Sequence, residues 1–403
     1  MCDKFPENYY FLSSRPFTDF IEFQRFTVFS VLPFEKEQAI ALTSRLPFDS
    51  ETKQRFALAL ENGLFDEHES FASNPLLLTL MLLMYDNYAE IPDKLHLFYE
   101  KAFETLYNKT YATESADRRI FKSKLSFDPF RSVFAYFCSI SYFKHKIEFS
   151  RDEMMEYLTK ASKTLDKFVS EDYLDDLLNS VCVMYKDGLS YVFTHRSFQE
   201  YFTAFFISKL SDDLIKKIVL EYLYKETSRA LEDNVIFMLR DMISDRFEEF
   251  VLLPLIVRID KNLAPGEDKF SFYLEKLFRS FSVYNGLPYC QSESLRIEER
   301  NHPVQFLYAL MTDDNNSNSV NEEKIIRDFI VEKGSFQIYD NCMRYVDCYK
   351  FSLARHNSDY ASFISLIKST SIGRRIIKLT HLKEDIEKRH KENMIDLSSL
   401  VDG

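Results

Sequence analysis

Residues 181–204 read VCVMYKDGLSYVFTHRSFQEYFTA. Two short apolar runs, Val181–Tyr185 and Leu189–Thr194, flank Lys186, Asp187 and Gly188. An Asp-Gly turn between two such runs is the strongest short-range hairpin signal. The pattern then changes period. Phe198, Tyr201, Phe202 and Phe205 fall on one face of an amphipathic helix. Ser197 and Glu200 have capping-box spacing, which places the helix start just beyond His195. The single histidine of the stretch therefore sits where strand gives way to helix.

Upstream, helical patterns cover Phe130–Tyr142, Asp152–Leu165 and Tyr173–Ser180. Ser150 and Glu153 supply a capping box for the second. Three helices followed by a hairpin is the winged-helix layout. Further upstream, Glu35–Leu46 and Lys53–Asn62 read as helices, the latter ended by Gly63. Asn74 and Pro75 are a cap residue and a first helical position. The helix they open is apolar nearly all round, so it belongs in a core. Lys94–Tyr107 forms another helix. Beyond Ser211 the chain is expected to stay helical, with a polar loop at Asp313–Ser319 and a charged helical tail at Arg374–Met394.

Composition narrows the class. Hydrophobic residues make up 46%, which requires a packed core. Only 7 glycines occur, so turns needing positive φ are few, which favours helices over sandwiches and barrels. The net charge of -12 works against binding a polyanion. The six cysteines, at 2, 138, 182, 290, 342 and 348, form no CxxC pair and imply reduced thiols. Cys138 and Cys182 lie in apolar runs and read as core. No signal peptide is visible, and no apolar run is long enough to span a bilayer. These features lead to an expected cytoplasmic location. His96 and His145 are isolated and read as surface or satisfied histidines. The pairs Arg374/Arg375 and Lys388/Arg389 read as a solvated face.

Three places carry chemistry. His195 stands ahead of a helix N-terminus, where backbone N–H groups point outward and suit an anion such as phosphate. The plainer reading is a histidine satisfied by backbone at a hairpin exit. The pattern of Phe193, His195, Phe198, Glu200, Tyr201, Phe202 and Ala204 closely resembles the winged-helix motif of NACHT-type signal-transduction NTPases. In that family the histidine contacts the β-phosphate of ADP, so the resemblance makes His195 a nucleotide sensor. Tyr9–Leu12 reads as a short strand, followed by Ser13, Ser14, Arg15 and Pro16. Strand ends collect ligands in α/β nucleotide sites, and arginine can hold a γ-phosphate through two bonds. The family carries Thr-Ser-Arg-Pro there; Ser13 departs mildly and keeps the hydroxyl. Arg15 is the implied sensor. Pro75 matches the family's proline that packs on the adenine ring.

The motor is missing. No Walker A sequence occurs, and no apolar strand ends in an acidic pair as Walker B would. The resemblance covers about residues 8–210. It implies a remnant of the nucleotide domain at 1–33, a helical domain at 34–126, a winged helix at 127–210 and a helical sensor or scaffold region at 211–403. The expected fold is mainly α, with a remnant α/β strand at the N-terminus. The expected function is nucleotide-state sensing and signal-dependent assembly, in prokaryotic and possibly anti-phage defence. The chain alone needs no cofactor; ADP or ATP with Mg²⁺ enters when a nucleotide-binding region, or an adjacent gene product, completes it. Homo-oligomerisation on activation and an unknown trigger are further expectations. Two rivals stand beside this: a DNA-binding winged helix, and a nucleotide-independent helical scaffold. The DNA reading is weakened because Tyr173–Ser180 holds Asp175 and Asp176 and no basic residue.

Overall fold

A computed structural model describes residues 10, 31–85, 92, 94–112, 121–165, 167–284, 294–311, 320–340, 345–353, 355 and 357–401. The fold is mainly helical. Arg15, the rest of the segment Ser13–Pro16, all of Tyr9–Leu12 except Tyr10, and the polar loop Asp313–Ser319 lie outside the described residues.

The N-terminal helices form where local signals place them. α1 (Lys36–Arg45) opens with Glu35 and Gln38 in a reciprocal capping box. α2 (Ser50–Ala59) begins before the expected Lys53 because Asp49 accepts from the Thr52 N–H at 2.8 Å. Gly63, at φ 133, breaks the helical run. α3 (Pro75–Tyr85) starts at Pro75, with Asn74 Oδ1 accepting from Leu76 N (3.0 Å) and Leu77 N (3.3 Å). α4 (Leu95–Ala112) follows.

The winged helix is complete. α5 (Phe127–Phe143), β1 (Glu148–Phe149), α6 (Arg151–Thr164), α7 (Ser170–Asp175), β2 (Met184–Asp187) and β3 (Ser190–Phe193) run in that order. The sheet order is β1-β3-β2, with both pairings antiparallel. The Ser150–Glu153 capping box forms as expected. Asp187 pairs with Ser190, leaving a two-residue turn whose first member, Gly188, has φ 58. That is the position where a II′ hairpin turn requires glycine. β2 starts later than the apolar run implies, because a π-helical turn, Asp176–Ser180, extends α7 to the edge of Val181.

α8 (Arg196–Ser208) carries the motif and packs along α5. Its aromatics form the core face expected of them. Phe202 meets Phe103 at 4.6 Å and Phe134 at 4.8 Å, both edge-on. Tyr99 of α4 meets Phe198 at 5.7 Å. Edge-to-face pairs each contribute about 0.5–1.5 kcal/mol beyond burial. The buried apolar residues make one contiguous core from Ala39 to Ile386.

The region beyond Ser211 departs from the all-helical expectation. Helices α9 (Asp212–Lys225), α10 (Thr227–Glu232), α11 (Val235–Met242), α12 (Leu253–Asp260) and α13 (Lys269–Leu277) come first. Then β4 (Phe278–Tyr284), β5 (Ser294–Glu299), β6 (Ser335–Asp340) and β7 (Tyr345–Ser352) build an antiparallel sheet ordered β5-β4-β7-β6. α14 (Val304–Leu310) and α15 (Val320–Lys333) lie between β5 and β6, and α16 (Tyr360–Lys368) and α17 (Ser371–Val401) close the chain. Phe281 and Phe351 face Phe363 of α16 at 5.0 and 4.5 Å. The strands use β-prone aromatics on that covered face, a pattern that scarce glycine does not forbid.

Three smaller expectations are also corrected. Cys138 is buried, but Cys182 is exposed. Its φ of 58 turns its side chain out between buried Val181 and Val183. His96 is half-buried, and its Nδ1 is buried without a hydrogen-bond partner; burial pushes its pKa below the usual histidine value. The tail's basic pairs are anchors rather than a uniformly solvated face. Arg374 pairs with Glu322 at 2.9 Å, Arg389 with Glu248 at 2.7 Å, and Arg375 lies over the Tyr308 ring.

Candidate functional site

The wing delivers His195. β3 ends at Phe193, Thr194 donates its N–H to the Val183 carbonyl, and the chain stays extended through His195 (φ -149, ψ 135) before α8 begins. The helix is not opened by Ser197 and Glu200. His195 is itself the N-cap, its Nδ1 accepting from the Ser197 N–H at 3.2 Å. The capping box fails because Ser197 already lies inside the helix and the Glu200 side chain is drawn into the interior, 2% exposed. An accepting Nδ1 carries no proton, so the ring proton sits on Nε2 and makes that nitrogen a donor. The imidazole is half-buried and outside the apolar core.

Pro75 is exposed at the start of α3. α3 packs on α1, α2 and α4, and α4 packs on α8, so Pro75 and His195 belong to one packed body. Arg15 lies outside the described residues, so its relation to the two is not part of this geometry.

Behind His195 lies a polar network that the sequence reading missed. The Tyr142 hydroxyl donates to Asp233 Oδ2 at 2.7 Å and meets the Tyr222 hydroxyl at 2.5 Å. Asp233 Oδ1 accepts from Val235 N at 3.1 Å. Arg196 reaches both Glu200 and Asp233. Arg229 lies over the Tyr142 ring and donates to the Tyr142 carbonyl, while Glu226 contacts both Arg229 and His145. Only the Arg196–Glu200 spacing of four and the Glu226–Arg229 spacing of three were legible in advance; the other contacts join residues distant in the chain.

Burial pushes the Asp233 carboxyl up to about 6, against the opposing hydrogen bond from Tyr142. Burial also raises the Tyr142 and Tyr222 hydroxyls, so both stay protonated donors. An acid raised in the folded state binds its proton more tightly there than when unfolded. Its contribution to stability is therefore full below the ordinary carboxylate value and is lost as pH rises through about 6. The stability of the native chain, measured against Asp233→Asn by urea unfolding, is expected to fall between pH 4 and 7 by up to about 3 kcal/mol. A constant difference across that range would contradict the burial described for Asp233.

The third helix of the winged helix, where such domains present a DNA-reading surface, is otherwise engaged. Asp176 is fully buried and accepts from Lys122 N and Ser123 N, both at 2.9 Å. Its outward residues include Glu171, paired with Arg151 at 2.7 Å, Asp172, and Asp175, paired with Lys122 at 3.0 Å, and the helix carries no basic residue of its own. Among the described residues no cluster of His, Cys, Asp or Glu could hold a metal ion, and no helix is long and apolar enough to cross a membrane.

Fold and site together define a winged helix whose wing exits on a capping histidine, set in a larger helical protein. No known family model matches the chain, and no curated protein sequence matches it.

Proposed function

We propose that this chain is the regulatory part of a NACHT-type NTPase, sensing nucleotide state and controlling assembly, with a Walker A-bearing region completing the site. The observation that carries this reading is the placement of His195. A donor Nε2–H, fixed by the Nδ1 contact to Ser197, stands at the N-terminal end of a 13-residue helix. Both the imidazole and the helix end favour an anion there. A diphosphate supplied by the completing region fits that chemistry, and the bound ADP would hold the two parts together. The bistable contact would then be biased by whichever nucleotide is present. A defence role in prokaryotes rests on the family resemblance alone. The DNA-binding rival is disfavoured because the third helix offers no basic residue to a phosphate backbone.

The test separates the cap from the sensor. Asparagine at position 195 can still cap α8, but it lacks the imidazole Nε2 donor. With the chain combined with its Walker A-bearing region, His195→Asn is expected to leave stability within about 1 kcal/mol and to speed ADP release roughly 10–100-fold, the loss of one charge-assisted hydrogen bond. ADP release at the native rate from a folded His195→Asn complex would refute the reading.

A further inference from the structure

The residue after the capping imidazole is Arg196, and its side chain turns inward toward two carboxylates. Nε lies 3.4 Å from Glu200 Oε1 on the same helix, and Nη2 lies 3.8 Å from Asp233 Oδ2. The Glu200 and Asp233 side chains are 2% and 0% exposed, so these charges act on one another with little screening. Asp233 does not belong to the winged helix. It forms the corner between α10 and α11 and is fixed there by Val235 N and by the Tyr142 hydroxyl, which Tyr222 of α9 braces. Asn234, its neighbour, donates its N–H to Glu200 Oε2 at 3.4 Å. The first turn of α8 is thus attached, through charge, to the helices beyond Ser211.

The attachment is loose. Both ion contacts are longer than the ~2.7–2.9 Å of a good charge-assisted hydrogen bond, and Arg196 Nε is buried without hydrogen-bond geometry. Two buried carboxylates share one guanidinium, and neutral donors meet the rest of their charge: Asn234 on Glu200, and the Tyr142 hydroxyl and Val235 N–H on Asp233. A displacement of the α10–α11 corner would carry Asp233 away from Arg196 and let water reach both.

We propose that Asp233 is a positioning residue for His195: through Arg196 it holds the first turn of α8, so that movement of the helices beyond the winged helix resets the capping imidazole. The coupling runs from a corner in the C-terminal region to the residue adjoining the cap. It goes beyond the nucleotide reading, because it concerns the chain alone.

Full-length ¹⁵N-labelled chain tests it without nucleotide, so its outcome is independent of ADP release. His195 ring nitrogens report the tautomer, and Ser197 amide exchange reports the cap. Asp233→Asn keeps one acceptor, for the Val235 N–H, turns an amide donor toward the Tyr142 hydroxyl oxygen, and removes the charge facing Arg196; Arg196→Gln removes the charge from the other side. Each is expected to speed Ser197 exchange at least about tenfold, the loss of a contact worth near 1.4 kcal/mol, and to shift the His195 ring signals. The signals of His68 and His302 should stay in place, which a general loosening of the fold would not allow. The double variant should match either single one, as a shared contact requires. Unchanged His195 and Ser197 in a folded single variant, or effects that simply add, would overturn the proposal. If Asp233→Asn does not fold, Arg196→Gln alone decides between the same two outcomes.

Discussion

Asp176→Ala is expected to lower the unfolding free energy by about 2–4 kcal/mol, a loss readable from the urea midpoint. The side chain is fully buried, and its two oxygens accept separately from Lys122 N and Ser123 N, with Ser180 Oγ adding a third contact at 3.3 Å. Truncation removes two charge-assisted bonds at once and leaves two backbone donors without their acceptor. Asp176→Asn should be nearly as harmful, since its amide would turn a donor toward one of those N–H groups. The neighbouring Asp175 makes a sharp control. It pairs with Lys122 Nζ at 3.0 Å but is partly exposed, so Asp175→Asn should cost under about 1 kcal/mol. Equal losses at 175 and 176 would show that the pinning of residues 121–124 onto the third helix does not stabilise the fold.

Gly373→Ala should be still more damaging, by more than about 3 kcal/mol, or should prevent folding. A Cβ at this position would lie 2.0 Å from the Ile367 carbonyl oxygen and 2.6 Å from Lys368 Cα. Those are backbone atoms of α16, so no rotamer change relieves the clash. The two helices must separate, which is overpacking at the severe end of its range. Gly188→Ala provides the comparison. Gly188 has φ 58 with nothing within 4 Å of its absent Cβ, so its cost is conformational and near 1 kcal/mol. If Gly373→Ala unfolds at the same urea concentration as Gly188→Ala, the close approach of α16 and α17 is wrong.

How far the sequence could be read depended on how local each signal is. Asn74 capping α3, Ser150 with Glu153 opening α6, and the turn at Gly188 are contacts within a few residues. Their spacing is visible in the chain, and each formed where expected. The winged-helix order followed from them. The capping box at Ser197 and Glu200 had the same spacing but failed, because Glu200 is buried against the half-buried guanidinium of Arg196 and the imidazole of His195 takes the cap. The C-terminal sheet was missed for a related reason. β4 pairs with β7 across about seventy residues, and Ser282 opposite Lys350 is a match that no local window contains. Cys182 was assigned to the core from the apolar residues around it, but one left-handed backbone angle reversed its direction.

The sequence by itself determined the helical class, the wing and the junction on which His195 sits, since periodicity and turn chemistry act over a few bonds. Only the tertiary structure decided that His195 caps its own helix, that Arg196 faces Asp233, and that Asp176 secures a distant loop. Those outcomes depend on which side chains lose water together, and burial is a property of the assembled chain, not of any segment of it.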